Sequence, residues 1–245
     1  MKNPIGGNLL CLVFASTLLI ASSCKKEEGT EPVVTEGKSS AVFNPSLTYG
    51  TVSDHQGNVY KTIKIGTQTW MAENLRSTHY RNGDPIANVK GAADWIKLSS
   101  GAYCTYGNSN NPDSIATFGN LYNWYVVSDS RKVCPFGWHV PSKAEAQTLM
   151  TFLGQNTAGT QLKETGTKWK NNTGGTNSSG FTALPTGVRR SDTGEFSNLG
   201  GLTGWWTTTE KDANFAWFRD FGNYESSFEG ANPKQLGYCI RCLQD

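Results

Sequence analysis

The chain has 245 residues, with 22 Lys and Arg against 20 Asp and Glu, a net charge of +2 and only 3 His. That balance, with no basic cluster, excludes the electrostatic footprint of a nucleic-acid-binding protein. Apart from one stretch near the start, no apolar run approaches the roughly 20 residues a membrane-spanning helix needs. High Gly, Trp and Tyr (27, 8 and 9) with little Leu and Glu favours strands and ordered loops over a helix bundle.

The apolar stretch runs from Leu9 to Ala21 behind the basic Lys2, and it is too short to span a bilayer with its flanks. It is followed by Ile20-Ala21-Ser22-Ser23-Cys24, small residues before a cysteine, which is similar to a bacterial lipobox with Ala21 where Leu is usual. The expectation is a lipoprotein leader over residues 1–23 and an acylated Cys24 as the first mature residue. Several acyl chains at about 0.8 kcal/mol per buried methylene make such an anchor effectively permanent. Residues 24–48 lack apolar periodicity and read as a disordered tether. Their charged start, Lys25-Lys26-Glu27-Glu28, resembles the surface-export signal of Bacteroidetes lipoproteins and implies the outer membrane, facing the medium.

Residues 49–245 suit one domain with a sizeable core. Asn58 to Gly66 and Gln68 to Ala72 alternate around a short turn and predict a hairpin, preceded by a turn at Asp54-His55-Gln56-Gly57. Arg81 to Pro112 reads as loop. Phe118 to Val127 places Leu, Tyr, Trp and Val at helical spacing and predicts a first helix. A second begins at Ser142 with the capping-box partner Glu145, buries Leu149, Phe152 and Leu153, and stops at Gly154. A short helical turn is expected over Gly159 to Glu164. Asn171 to Gly180 is too rich in breakers for regular structure. Strands are expected at Gly204–Thr209, Phe215–Phe221, Tyr224–Phe228 and Gly237–Leu243, as an antiparallel meander.

Beyond the leader's Cys11 and the lipobox Cys24, the cysteines are Cys104, Cys134, Cys239 and Cys242. An even number in an exported domain points to disulfides, with three pairings open. The spacing of Cys239 and Cys242 would also suit a redox or metal pair, but no second Cys-x-x-Cys or His lies nearby to complete a zinc site.

Several motifs, in order, resemble one family. They are Asp54 to Tyr60, Ile65-Gly66 through Trp70 to Leu75, Cys134-Pro135-Phe136-Gly137-Trp138-His139-Val140-Pro141-Ser142, Gly180 to Pro185, Trp205 to Glu210, and Cys239 to Cys242. The pattern is similar to the Fibrobacter succinogenes major paralogous domain, common on surface lipoproteins of Bacteroidetes and Fibrobacteres. The resemblance implies an α+β, C-type-lectin-like fold with two main helices and a twisted antiparallel sheet, a broad fold shared with formylglycine-generating enzymes. It also implies a bridge from Cys134 to Cys242, which leaves Cys104 for Cys239. The family name brings no settled activity.

Three chemistries compete for such a domain. A calcium-dependent sugar site needs several clustered oxygens, but Asn111-Pro112-Asp113 precedes the capped helix and no Trp-Asn-Asp follows. No metal or cofactor is expected. Catalysis, by thiol redox or hydrolysis, lacks a nucleophile and base in one motif, and His139 reads as a core residue. The remaining class is a binding or adhesion module for a glycan or surface-protein ligand. The residues that would carry it are Trp205, Trp206, Trp217, Arg219 and Tyr224, with Asn214 in a turn. Alternation along a strand sends one of Trp205 and Trp206 inward and the other outward, although both could serve as core.

Overall fold

The structure, a computed structural model, describes Met1 and residues 37–170, 174–222 and 227–245. The expected leader, Cys24, the tether as far as residue 36, and Tyr224 lie outside the described residues. Residues 37–48, read as tether from their composition, lie against the domain. The Lys38 N–H donates to Asp113 Oδ1 at 2.8 Å, that of Ser40 to Thr117 Oγ1 at 2.9 Å and that of Val42 to Glu164 Oε2 at 3.0 Å. Phe43 and Leu47 pack on the core. Two apolar anchors and side-chain acceptors elsewhere in the chain hold a segment whose own composition is that of a linker.

The first sheet grows from the predicted hairpin. Strand β1 (Gly50–Ser53) runs antiparallel to β2 (Val59–Ile65), and β2 to β3 (Gln68–Met71). The turn between β1 and β2 is closed by Asp54, whose Oδ1 accepts the N–H groups of Gln56 (2.9 Å) and Asn58 (3.0 Å). The stretch read as loop then contains β4 (Ala87–Asn88), α1 (Ala92–Trp95), β5 (Ala102–Cys104) and a 3-10 turn at Tyr106–Asn108. Trp95 is its anchor: fully buried, it donates from Nε1 to the Gln235 carbonyl at 2.7 Å.

The helix expected over Phe118 to Val127 is instead three elements: α2 (Pro112–Phe118), β6 (Leu121–Tyr122) and α3 (Trp124–Ser128). Gly119 breaks it at φ 73°, where a Cβ would come within 2.7 Å of Asn74 Cβ, so the chain reverses where only glycine fits. Leu121, Tyr122, Trp124, Val126 and Val127 are buried in every case, and apolar spacing alone cannot tell that arrangement from one helix.

Strand β7 (Trp138–His139) leads into α4 (Lys143–Leu153), the longest described helix, with both halves of the predicted capping box formed. Leu149 and Leu153 are buried; Phe152, expected inward, is 63% exposed and rests over Gly66. A short α5 (Ala158–Leu162) follows, then the hairpin β8 (Thr186–Arg189) and β9 (Phe196–Leu199). The meander comprises β10 (Thr203–Glu210), β11 (Phe215–Phe221) and β12 (Phe228–Pro233), the last beginning at Phe228, where the strand expected over Tyr224–Phe228 should have ended; the chain's last strand is β13 (Leu243–Gln244).

The class is α+β, but the described strands form four small sheets rather than one. Their orders are β1-β2-β3-β13-β7, β10-β11-β12, β4-β5-β6 and β8-β9. The last residues lock them together. Gly237 bridges Arg189, Tyr238 bridges Tyr122, Cys239 bridges Trp205, and Leu243 sits between Trp70 and His139. The predicted strand from Gly237 is therefore a series of single pairings with different sheets.

Candidate binding groove

The sequence proposed an aromatic surface on the late strands, and the structure removes half of it. Trp205 is 6% exposed and Trp206 fully buried. Alternation does send them to opposite faces of β10, but both faces are covered. Trp205 packs edge-on to Phe181 and Phe221, whereas Trp206 packs against Tyr238 and donates from Nε1 to the Tyr122 carbonyl at 2.9 Å. Neither can meet a ligand.

Trp217 is half-buried and remains accessible. It shares a face of β11 with Arg219 two residues on, and Arg219 pairs across the sheet with Glu229 of β12. Arg219 is 4% exposed and is held by Glu229 Oε2 (2.7 Å) and Gln147 Oε1 (2.8 Å) of α4, its Nη1 donating to Ser227 Oγ (3.3 Å). Burial pulls its guanidinium below the ordinary arginine value, and the charges of Glu229 and Asp220 oppose that. The other Glu229 oxygen, Oε1, meets Lys143 Nζ at 3.1 Å, and that ammonium lies 3.3 Å from the centroid of the Trp217 ring. Beside this cluster is an open depression of about 500 Å³ lined by Ser142, Lys143, Ala144, Gln147, Thr209 and Glu229.

Of the sequence candidates, Trp217 and Arg219 therefore meet at one site. Asn214 is exposed in the β10–β11 turn, and five residues of strand, about 17 Å, separate it from Arg219. Lys143, Gln147, Thr209 and Glu229 were not singled out. One signal was legible for Lys143, a cation at the first position of a capped helix, where the macrodipole disfavours it.

Cys134 and Cys242 are joined by a disulfide, Cα–Cα 5.9 Å. The second bridge is absent: Cys104 and Cys239 are buried free thiols. Cys104 lies opposite Leu121, and the Tyr122–Tyr238 bridge carries Leu121 opposite Cys239. The two cysteines thus flank a shared strand, about 10 Å apart, beyond the reach of a disulfide. Burial pushes the thiol of Cys104 up to about 12 and that of Cys239 up to about 11, so neither supplies a thiolate near neutrality.

His139 is not a core residue. Its side chain is 36% exposed, with Nδ1 2.6 Å from Asp245 Oδ1 and Nε2 3.0 Å from Glu145 Oε1. Both nitrogens face carboxylates, which leaves neither free to activate a nucleophile. Glu145 is raised by burial, but hydrogen bonds from Ser142 and His139 outweigh that and hold it below the usual glutamate range. Among the described residues no group of three or more His, Cys, Asp or Glu is placed to hold a metal ion, and no helix is long and apolar enough to cross a membrane.

No curated protein and no solved structure matches the chain. The profile of the Fibrobacter succinogenes major domain matches residues 63–244, well over half of the sequence, from β2 through the closing β13. The chain belongs to the Fibrobacter succinogenes major domain family.

Proposed function

We propose that this chain is an outer-membrane lipoprotein, anchored through Cys24 and exposed at the cell surface. Its C-type-lectin-like domain would act as a non-catalytic binding module, with glycans as the ligand class. The observation that carries the reading is the groove between α4 and the β10–β12 sheet. A half-exposed indole there stands beside a hydroxyl, an amide, an ammonium and a carboxylate around an open depression. A sugar ring offers an apolar face and hydroxyl edges, and that mixture of groups can meet both. The lipobox and the charged residues after Cys24 support the location.

The test of the ligand class is a glycan array probed with the detergent-solubilised full chain, alongside Trp217→Ala and Glu229→Gln. Binding to a defined subset of glycans, lost in both variants, is the expected result. No glycan bound, or binding indifferent to both substitutions, overturns the assignment. For the anchor, radiolabelled palmitate should enter the wild-type chain and not Cys24→Ala.

A further inference from the structure

Lys143 occupies an unfavourable position for a lysine. It is the first residue of α4, where backbone N–H groups point outward and the helix dipole repels a cation. Its backbone is fixed, the N–H donating to Thr209 Oγ1 at 3.0 Å. Its side chain compensates by placing the ammonium over the Trp217 ring and against Glu229 Oε1. An aromatic face and a carboxylate converging on one point form a receptor for an ammonium ion. This receptor is built in advance, because the buried Arg219 grips Glu229 Oε2 and leaves Oε1 turned toward Lys143.

We propose that Trp217 and Glu229 form an ammonium-binding subsite of the groove, that Lys143 is its internal occupant, and that the ligand is a saccharide carrying a free amino group. This rests on the binding-module reading above and names the group recognised. The ligand's ammonium displaces that of Lys143, whose four-carbon stem then swings into the adjoining depression and solvent. Lys143 is 35% exposed at its side chain and makes only surface-type contacts, so its departure is inexpensive. The saccharide's hydroxyls meet Gln147, Thr209 and Ser142, which line the same space. Lys143 thereby sets a threshold: a neutral sugar leaves the indole capped, whereas an amino sugar replaces the cap in kind.

The test is calorimetric titration of the full chain with a glucosamine trimer and with its N-acetylated counterpart. The proteins are wild type, Lys143→Ala, and Lys143→Ala combined with Trp217→Ala or with Glu229→Gln. Removing the internal competitor should tighten the amine form roughly three- to thirtyfold, the worth of one exposed cation–π contact and one surface ion pair. The N-acetylated form, which meets the bared indole but brings no charge to Glu229, should gain less than the amine, and either second substitution should shrink the amine's gain. A third arm uses Nα-acetyl-lysine methylamide. If that binds Lys143→Ala while the glucosamine trimer does not, the ammonium belongs to a protein and the amino-sugar assignment falls. Equal or weaker binding of every amine by Lys143→Ala overturns the subsite itself. Glycan binding that persists unchanged in Lys143→Ala, with no preference for the amine, removes this inference and leaves the binding-module reading standing.

Discussion

Trp205 and Trp206 are adjacent in β10, yet their rings belong to two separate cores. Trp206 belongs to the cluster that holds Tyr60, Met71, Tyr122, Phe218 and Tyr238, and Trp205 to the one that holds Trp70, Phe181, Phe221 and Leu149, Met150 and Leu153 of α4. Strand β10 is thus a wall between the two clusters, and the double tryptophan is a structural device that closes both sides of it.

Truncating either ring should therefore cost stability. Trp206→Ala and Trp205→Ala are each expected to lose about 3–5 kcal/mol, the range for emptying a buried large aromatic site. Trp205→Phe should be far milder, because Trp205 Nε1 is buried without a partner and its loss forfeits no hydrogen bond. Urea unfolding monitored by far-UV circular dichroism checks this. A loss of under about 1 kcal/mol for either alanine variant would contradict the burial.

The bridge between Cys134 and Cys242 spans a sequence separation of 108 and ties the loop before α4 to the closing segment. In the chain-entropy model, a loop of that length restricts the unfolded chain by about 4–5 kcal/mol. Cys134→Ser with Cys242→Ser should lose up to that amount in denaturant unfolding. A double variant as stable as wild type would mean that native strain cancels the constraint.

What the sequence could reveal followed from how far apart the cooperating residues lie. The capping box of Ser142 and Glu145, the Asn58–Ala72 hairpin and the β10–β11 pair depend on neighbours within one or two turns of chain, and each was legible; the third strand of the meander, expected over Tyr224–Phe228, starts only at Phe228. The Cys134–Cys242 pairing came from family resemblance, since spacing alone left three choices open. The fate of Trp205 and Trp206 was not legible, because alternation assigns faces and says nothing of what covers them. Nor was the groove, because Lys143 and Glu229 meet only after α4 packs on the last sheet. The helix expected at 118–127 failed for a related reason: Gly119 must reverse the chain to suit Asn74, a residue of another element.

Acid should weaken a corner of the fold held by Asp129 and Arg131. Arg131 donates to both Asp129 oxygens, Nε to Oδ1 at 2.9 Å and Nη2 to Oδ2 at 2.7 Å. Those hydrogen bonds lower the Asp129 carboxyl from 3.8 to about 2. A depressed carboxylate contributes stability that is complete above its unfolded value and lost as pH falls through its folded one. The contribution should accordingly be present above pH 3.8 and disappear by about pH 2. In melting curves taken across that window, Asp129→Asn should lie below wild type at the upper end and converge with it at the lower. Parallel curves would show that the pair contributes nothing measurable.

The free thiols offer a sharper test, because they separate a structural reading of the late cysteines from a chemical one. Cys104 and Cys239 are both fully buried, and burial raises both thiols far above neutrality. Cys239 Sγ also donates to Thr186 Oγ1 at 3.2 Å; that hydroxyl favours the thiolate, but burial outweighs it. Iodoacetamide at pH 8 should leave both unmodified in the folded chain and alkylate both after denaturation without reductant, as mapped by mass spectrometry of their peptides. Cys134 and Cys242 should be alkylated only once reductant is added. Rapid native alkylation of Cys239 would revive the redox reading. A Cys104–Cys239 cross-linked peptide would require the strand between them, with Leu121 at its centre, to be displaced. Thiols protected until the fold opens would identify the Cys-Ile-Arg-Cys ending as a fastening: one cysteine covalently bonded, the other filling the core.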